Sequence, residues 1–83
     1  MRIEWQNKAR KQIKKLGNPQ AVLRILTAID DYAAGKACDI KALSEHEYTH
    51  RLRVGDYRVL MVVDEAIEIS LIEEVKKRDE RTY

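Results

Sequence analysis

The hydrophobic pattern of this chain changes its period near the middle, and this change constrains the fold more than any other feature. Between residues 22 and 33, apolar residues recur every three or four positions, which is typical of a helix that buries one face. Between residues 48 and 54, apolar and polar residues alternate, as they do in a strand with one buried face. The switch predicts helices followed by a sheet.

Three strands are predicted after the switch. The first, residues 48–54, is expected to place four side chains on one face: Tyr48, His50, Leu52 and Val54. Gly55-Asp56 predicts a hairpin turn, and the nearly continuous apolar run of residues 57–63 suits a central strand buried on both faces. Asp64-Glu65 turns the chain again, so residues 66–75 form a third antiparallel strand, with Ile67 among its apolar positions.

The first half of the chain predicts one short strand and two helices. Residues 2–5 suit the strand, and a first helix runs from residue 6 or 7 to Leu16, where Gly17 ends it. Asn18 and Pro19 are a cap and a first helical residue for the second helix, and Gly35 provides its exit. Its buried stripe is expected to comprise Val22, Ile25, Leu26, Ile29, Tyr32 and Ala33.

The pattern as a whole predicts the α+β class: an N-terminal strand and a two-helix hairpin packed on a curved antiparallel sheet of three to four strands. Residues 36–47 have no clear period and are expected to form a loop anchored by Ile40 and Leu43. A chain of 83 residues has room for one domain, so residues 1–83 are read as a single unit.

Composition excludes several classes of protein. No apolar stretch approaches the ~20 residues of a membrane span, and the charged N-terminus does not resemble a signal peptide. The single Cys38 can form neither an internal disulfide nor a paired metal site, and no cofactor is predicted. We therefore expect a soluble cytoplasmic protein that does not bind membranes.

Charge is distributed unevenly along the chain. Residues 1–29 carry seven Lys and Arg against one acid, residues 30–74 carry five against eleven, and residues 75–83 carry four against two. A protein with separate basic and acidic surfaces can meet a polyanion with one and a cationic partner with the other. The alternative is that the lysines of residues 8–15 only solvate a helix face.

The arginines of the predicted sheet are candidates for binding phosphate. Arg51 and Arg53 lie two residues apart and share a face, and Arg58 interrupts the apolar run of the next strand, so the three guanidinium groups can converge. The alternative for the first two is ion pairing with acids such as Glu68 or Glu74 across the strands. A basic segment that ends in a tyrosine, residues 75–83, follows the last strand and also suggests a phosphate-binding site.

These two segments resemble the RelE/ParE toxin superfamily, and its RelE branch in particular. The resemblance rests on Arg51-Leu52-Arg53, on Gly55-Asp56-Tyr57-Arg58, and on Lys77-Arg78 with a terminal Tyr83, and it extends over nearly the whole chain. It implies the toxin of a type II toxin–antitoxin system, which cleaves messenger RNA on the ribosome, without a metal, by attack of a ribose 2′-OH on the adjacent phosphate. It also implies an antitoxin partner, and a monomeric toxin that assembles further through that antitoxin.

The resemblance also assigns roles to residues of this chain. The catalytic set would be Arg51, Arg53, Arg58, Arg78 and Tyr83, in which Arg58 and Arg78 stabilise added negative charge and Tyr83 stacks on a splayed base. The residues that bind RNA or the ribosome would be Lys8, Lys11, Lys14, Lys15, Lys76, Lys77 and Arg81.

Two questions stay open at the level of sequence. An arginine is a poor general base, so proton abstraction falls to His46, Glu47 or His50, or to the ribosome. Two other functions also remain: a ParE-like inhibitor of a DNA topoisomerase that performs no chemistry, and a basic binding module with no toxicity.

Overall fold

The computed structural model describes residues 1–77, which form two helices and a sheet of five strands. In chain order the elements are β1 (Arg2–Trp5), α1 (Asn7–Lys14), α2 (Pro19–Ala33), β2 (Ile40–Ala42), β3 (His50–Val54), β4 (Tyr57–Asp64) and β5 (Ile69–Lys77). The order of the strands in the sheet is β1-β5-β4-β3-β2. This confirms the predicted α+β class, with β4 as the central strand.

The sheet differs from the prediction in three details. Residues 40–42, expected to belong to a loop, form the edge strand β2, which pairs antiparallel with β3 and is too short to show a period. Strand β1 pairs parallel with β5, so the sheet is mixed. Strand β5 begins at Ile69 instead of residue 66, because Glu68 has a φ of 54° and ends the preceding turn. Ile67, predicted to be an apolar position of this strand, lies in the turn and is 63% exposed.

Local contacts set the start of α2, and a glycine separates the two helices. The side chain of Asn18 accepts hydrogen bonds from the backbone N–H groups of Gln20 and Ala21, at 3.1 and 3.2 Å, and Pro19 occupies the first turn of α2. Gly17 adopts a φ of 68° between the helices, a conformation that glycine reaches without steric cost. Neither helix within residues 1–77 is long and apolar enough to span a membrane.

The core lies between α2 and one face of the sheet. Ile25 and Ile29 of α2 are buried with a group of strand residues, namely Leu52, Val59, Met61, Ile72 and Val75. The predicted helical stripe is therefore correct at its centre and wrong at Leu26, which stays 40% exposed beside the 66% exposed Leu23.

Helix α1 covers the part of β5 that β1 does not reach. The parallel pairing of β1 with β5 ends at Ile72, and beyond it the backbone N–H of Val75 donates to Oε1 of Gln12 on α1, at 2.7 Å. A bulge lies in the same region, since Leu60 pairs with Glu74 and Met61 pairs with Ile72, which leaves Glu73 as the extra residue. This packing brings the first turn of α1 close to the end of the sheet that carries the basic residues.

Candidate functional site

A row of three cationic residues crosses three strands on the sheet face that points away from the core. Arg53 of β3 is paired in register with Arg58 of β4, and Arg58 is paired with Lys76 of β5. The neighbouring register row, Leu52, Val59 and Val75, is buried in the core, so alternation directs the cationic row to the opposite face. Side chains paired in this way have Cβ atoms roughly 5 Å apart.

The next row on the same face contains Arg51 and Glu74 on either side of the buried Leu60. Arg51 is 20% exposed in its side chain and pairs with Asp39, at 3.4 Å between Nη2 and Oδ1. This ion pair replaces the pairing with Glu68 or Glu74 that the sequence left open. The buried Nε of Arg51 has no hydrogen-bond acceptor within residues 1–77.

The arrangement is suited to binding an anion that carries several oxygens. Arg53, Arg58 and Lys76 concentrate positive charge on adjacent strands of one face, and this concentration of charge attracts an anion. A guanidinium group presents a planar fork of donors that matches phosphate oxygens, and strands hold such donors in place more precisely than loops do. The hairpin turn at Gly55, with a φ of 58°, fixes the register that brings the two arginines together.

A buried carboxylate, Glu74, lies beside the cationic row. It is 4% exposed, and its Oε1 lies 3.0 Å from Nζ of Lys8 on α1 and 3.6 Å from Nζ of Lys76. Its other oxygen, Oε2, accepts a hydrogen bond from the hydroxyl of Tyr48. Burial alone would raise the pKa of Glu74, but the hydrogen bonds from Tyr48 and Lys8 and the charge of Lys76 outweigh it and lower the pKa to about 2.

Tyr48 differs from its predicted position. The alternating pattern assigned it to the face of Leu52, whereas its hydroxyl reaches Glu74 on the opposite face. The reason is that β3 begins only at His50, so residues before it follow a bent path and do not alternate. The hydrogen bond to Glu74, together with burial and the nearby carboxylates, raises the pKa of Tyr48 above its ordinary value of 10.

None of the three proposed general bases is clearly placed for that role. His50 lies on the sheet face opposite Arg51 and Arg53, with Nδ1 at 2.9 Å from the hydroxyl of Thr49. His46 accepts a hydrogen bond at Nδ1 from the backbone N–H of Tyr48, at 3.1 Å, so in its neutral form the other ring nitrogen carries the proton. Glu47 is exposed in the segment before β3.

The remaining predicted site residues are dispersed. Lys76 and Lys77 point to opposite faces of the sheet, and Lys77 lines a cavity of about 280 Å³ between the start of α2 and the hairpin turn. Lys11 and Lys15 are exposed, and Lys14 borders a groove between the helices. The predicted Arg78, Arg81 and Tyr83 lie outside the described residues. Within residues 1–77, no group of three or more His, Cys, Asp or Glu side chains is placed to hold a metal ion.

The contact between Tyr48 and Glu74 is not predicted by the sequence. The sequence does indicate the face on which Glu74 lies. Glu74 and Lys76 flank the anchoring Val75 and are two residues apart on one strand, so they share a face. The contacts of Glu74 with Lys8 and Tyr48 join residues 66 and 26 positions apart, and no local pattern indicates such contacts.

The chain has the RelE-like toxin fold, which it shares with three solved toxin–antitoxin complexes. The chain is similar to the archaeal RelE–RelB complex of Pyrococcus horikoshii, with 22% identity over 95% of this chain and 96% of that chain and a TM-score of 0.75. It is also similar to the RelB–RelE antitoxin–toxin complex of Methanococcus jannaschii, with 19% identity over 89% and 88% of the two chains and a TM-score of 0.71. The toxin–antitoxin complex RelBE2 of Mycobacterium tuberculosis is 28% identical over 93% of this chain and 96% of that chain, with a TM-score of 0.62. The sequence matches no family profile and no curated protein.

Proposed function

We propose that this chain is the toxin of a type II toxin–antitoxin pair and acts in the cytoplasm as an endoribonuclease that cleaves messenger RNA on the ribosome. The observation that carries the proposal is the cationic row of Arg53, Arg58 and Lys76 on a fold shared with the toxins of solved RelE–RelB complexes. RNA presents a chain of phosphates, and cations held on rigid strands can bind more than one of them at a low ordering cost.

The proposed reaction is a transesterification within the RNA, so it consumes no second reactant. A ribosomal group or a water molecule accepts the proton of the 2′-hydroxyl, and the 2′-oxygen forms a bond to the adjacent phosphorus. The bond from phosphorus to the 5′-oxygen breaks, and that oxygen takes up a proton, so the products are a 2′,3′-cyclic phosphate and a 5′-hydroxyl. Negative charge builds on the phosphate oxygens during this step, and the guanidinium of Arg58 would stabilise it, with Arg53 and Arg51 holding the flanking backbone. Arg78 and Tyr83 keep their proposed roles of charge stabilisation and base stacking, outside the described residues.

The ribosome has a physical place in this proposal. A guanidinium group is a poor general base, and the carboxylate of Glu74 is a weak base because its pKa is about 2. The described residues thus contribute charge and positioning more readily than proton abstraction. The ribosome would present the messenger RNA in a bent conformation and supply groups that the chain lacks.

The antitoxin would bind a groove on the outer side of the helices. Apolar side chains from both helices and from β1 line this groove, including the exposed Leu23 and Leu26, and Arg10 and Lys14 border it. An amphipathic acidic segment would bury its apolar side chains there and pair its carboxylates with the basic border. The toxin itself would be a monomer, with higher assembly through the antitoxin.

A translation assay with purified ribosomes and a defined messenger RNA tests this function. We expect new 3′ ends within the decoding site when wild-type protein is added, and their loss with Arg58→Ala, while circular dichroism shows the same fold for both. Protein that produces no new 3′ ends would overturn the nuclease. Inhibition of a purified topoisomerase would then favour the ParE-like alternative, and RNA binding with neither effect would favour a basic binding module.

A further inference from the structure

Glu74 places an acid on a face that otherwise concentrates positive charge. An exposed acid there would repel RNA, but this side chain is only 5% exposed, whereas the side chains of Lys8 and Lys76 are 64% and 54% exposed. Both ammonium groups contact the same carboxylate oxygen, Oε1. An RNA phosphate would therefore meet the two lysines and would not reach the carboxylate that holds them.

Each lysine keeps donors available for a ligand. An ammonium group has three N–H donors, and the contact with Glu74 uses one of them. Lys76 is in register with Arg58, so the shared oxygen brings Lys8 of α1 to the end of the cationic row. Lys8 and Gln12 lie four residues apart on the helix, and both contact β5, which fixes the orientation of this stripe of α1.

Tyr48 completes the arrangement from a third segment of the chain. Its hydroxyl donates to Oε2 of Glu74, so the segment before β3, the end of β5 and the first turn of α1 meet at one carboxylate. The carboxylate stays ionised and the phenol stays protonated at neutral pH, so the contacts persist over the pH range in which a cytoplasmic enzyme works.

We propose that Lys8 is a phosphate-binding residue of the RNA site and that Glu74, held by Tyr48, is the positioning residue that fixes it beside Lys76. This inference rests on the proposed function and extends the site to α1. It distinguishes Lys8 from Lys11, Lys14 and Lys15, which are not held to the sheet by any contact described within residues 1–77.

Two measurements on three variants test the proposal. The first is binding of a single-stranded RNA with 2′-O-methyl riboses, which cannot be cleaved, followed over a series of salt concentrations. The second is the rate of messenger RNA cleavage at saturating protein in the ribosome assay. Lys8→Ala should bind the RNA more weakly and reduce the dependence of log K on log salt by about 0.7, the contribution of one phosphate contact to a single strand.

Glu74→Gln should separate binding from cleavage. Removing an acid from a basic face leaves RNA binding equal or tighter, but the loss of the ionic contact releases Lys8, so cleavage at saturation should fall by roughly tenfold to a hundredfold. Tyr48→Phe removes only the hydroxyl and should also reduce cleavage, by a smaller factor than Glu74→Gln. If Glu74 had only a structural role, its substitution would lower thermal stability, but it would not reduce cleavage while leaving RNA binding equal or tighter.

The controls are matched in charge. Glu73→Gln removes an acid one position away, and Lys36→Ala removes a lysine near the end of α2; both should match wild type in the two measurements. If Arg58→Ala abolishes cleavage while Lys8→Ala and Glu74→Gln match wild type, the inference is wrong and the proposed function stands. If wild-type protein cleaves no RNA, the proposed function fails, and an unchanged salt dependence in Lys8→Ala would show separately that Lys8 contacts no phosphate.

Discussion

Arg53 and Arg58 lie directly opposite each other on β3 and β4, and both point away from the hydrophobic core. A pair of like charges directly opposite each other in a sheet is unfavourable by itself. Lys76 continues the row on β5. Three cations side by side on one sheet face suit a binding surface for an anion.

Replacing Arg53 should therefore separate stability from activity. Arg53→Ala relieves the repulsion, so the free energy of unfolding should stay the same or rise by up to ~0.5 kcal/mol, while cleavage of messenger RNA falls at least tenfold. Urea denaturation and the ribosome assay measure the two quantities. Arg24→Ala, on the exposed surface of α2, is the control and should leave cleavage intact. A marked loss of stability in Arg53→Ala would contradict the repulsive arrangement.

Glu74 should give the protein an acid-sensitive component of stability. Its pKa is about 2 in the folded protein against an ordinary 4.5, so the unfolded chain binds the proton more readily. The contribution is present above pH 4.5 and is lost as the pH falls from about 5 towards 2. At most, this contribution to the free energy of unfolding is on the order of 3 kcal/mol.

Denaturation at a series of pH values checks this component. Glu74→Gln should flatten the decline between pH 5 and pH 2, because the titrating group is gone. Glu73→Gln should retain the decline of the wild type. Equal slopes in the wild type and Glu74→Gln would mean that other carboxylates carry the acid sensitivity.

Substitutions at two positions of α2, two residues apart, should differ sharply in their effect on the free energy of unfolding. Ile25 is fully buried and Leu23 is 66% exposed. Ile25→Ala should cost ~2–5 kcal/mol because it leaves a cavity in the core, whereas Leu23→Ala should change the free energy of unfolding by less than ~0.5 kcal/mol. Chemical denaturation followed by circular dichroism measures both, and similar costs for the two would be inconsistent with the packing of α2 on the sheet.

The same exposed leucine should matter for the antitoxin. Leu23→Glu places a negative charge in the apolar groove, so binding of the acidic antitoxin should weaken by about tenfold or more, while cleavage by the free toxin stays at the wild-type level. Titration calorimetry with a candidate antitoxin, sought as a small acidic protein in the neighbouring reading frame, measures the affinity. Ile67→Glu, at a 63% exposed position in the turn before β5, is the matched control. Equal affinity for both variants would place the antitoxin elsewhere.

Local patterns were sufficient for most of the elements. The asparagine cap and proline that start α2, the glycine that starts the hairpin turn, and the apolar run of β4 all act through neighbouring residues, and each is found where it was predicted. The three-residue β2 was not predictable, because its place depends on pairing with β3 and its length is too short for a period. Strand β5 begins three residues later than the pattern predicts, because the turn extends to Glu68, a residue with positive φ that is not a glycine.

The sequence by itself determined which cations share a face of the sheet. Side chains alternate along a strand, and this local rule places Arg51 with Arg53 and separates Lys76 from Lys77. Only the tertiary structure decided which residues meet across strands. The register sets Arg53 opposite Arg58, and the packing of α1 on the uncovered edge of β5 brings Lys8 to Glu74. These contacts join distant parts of the chain, so their geometry follows from the packing of the whole domain and leaves no periodic signal in the sequence.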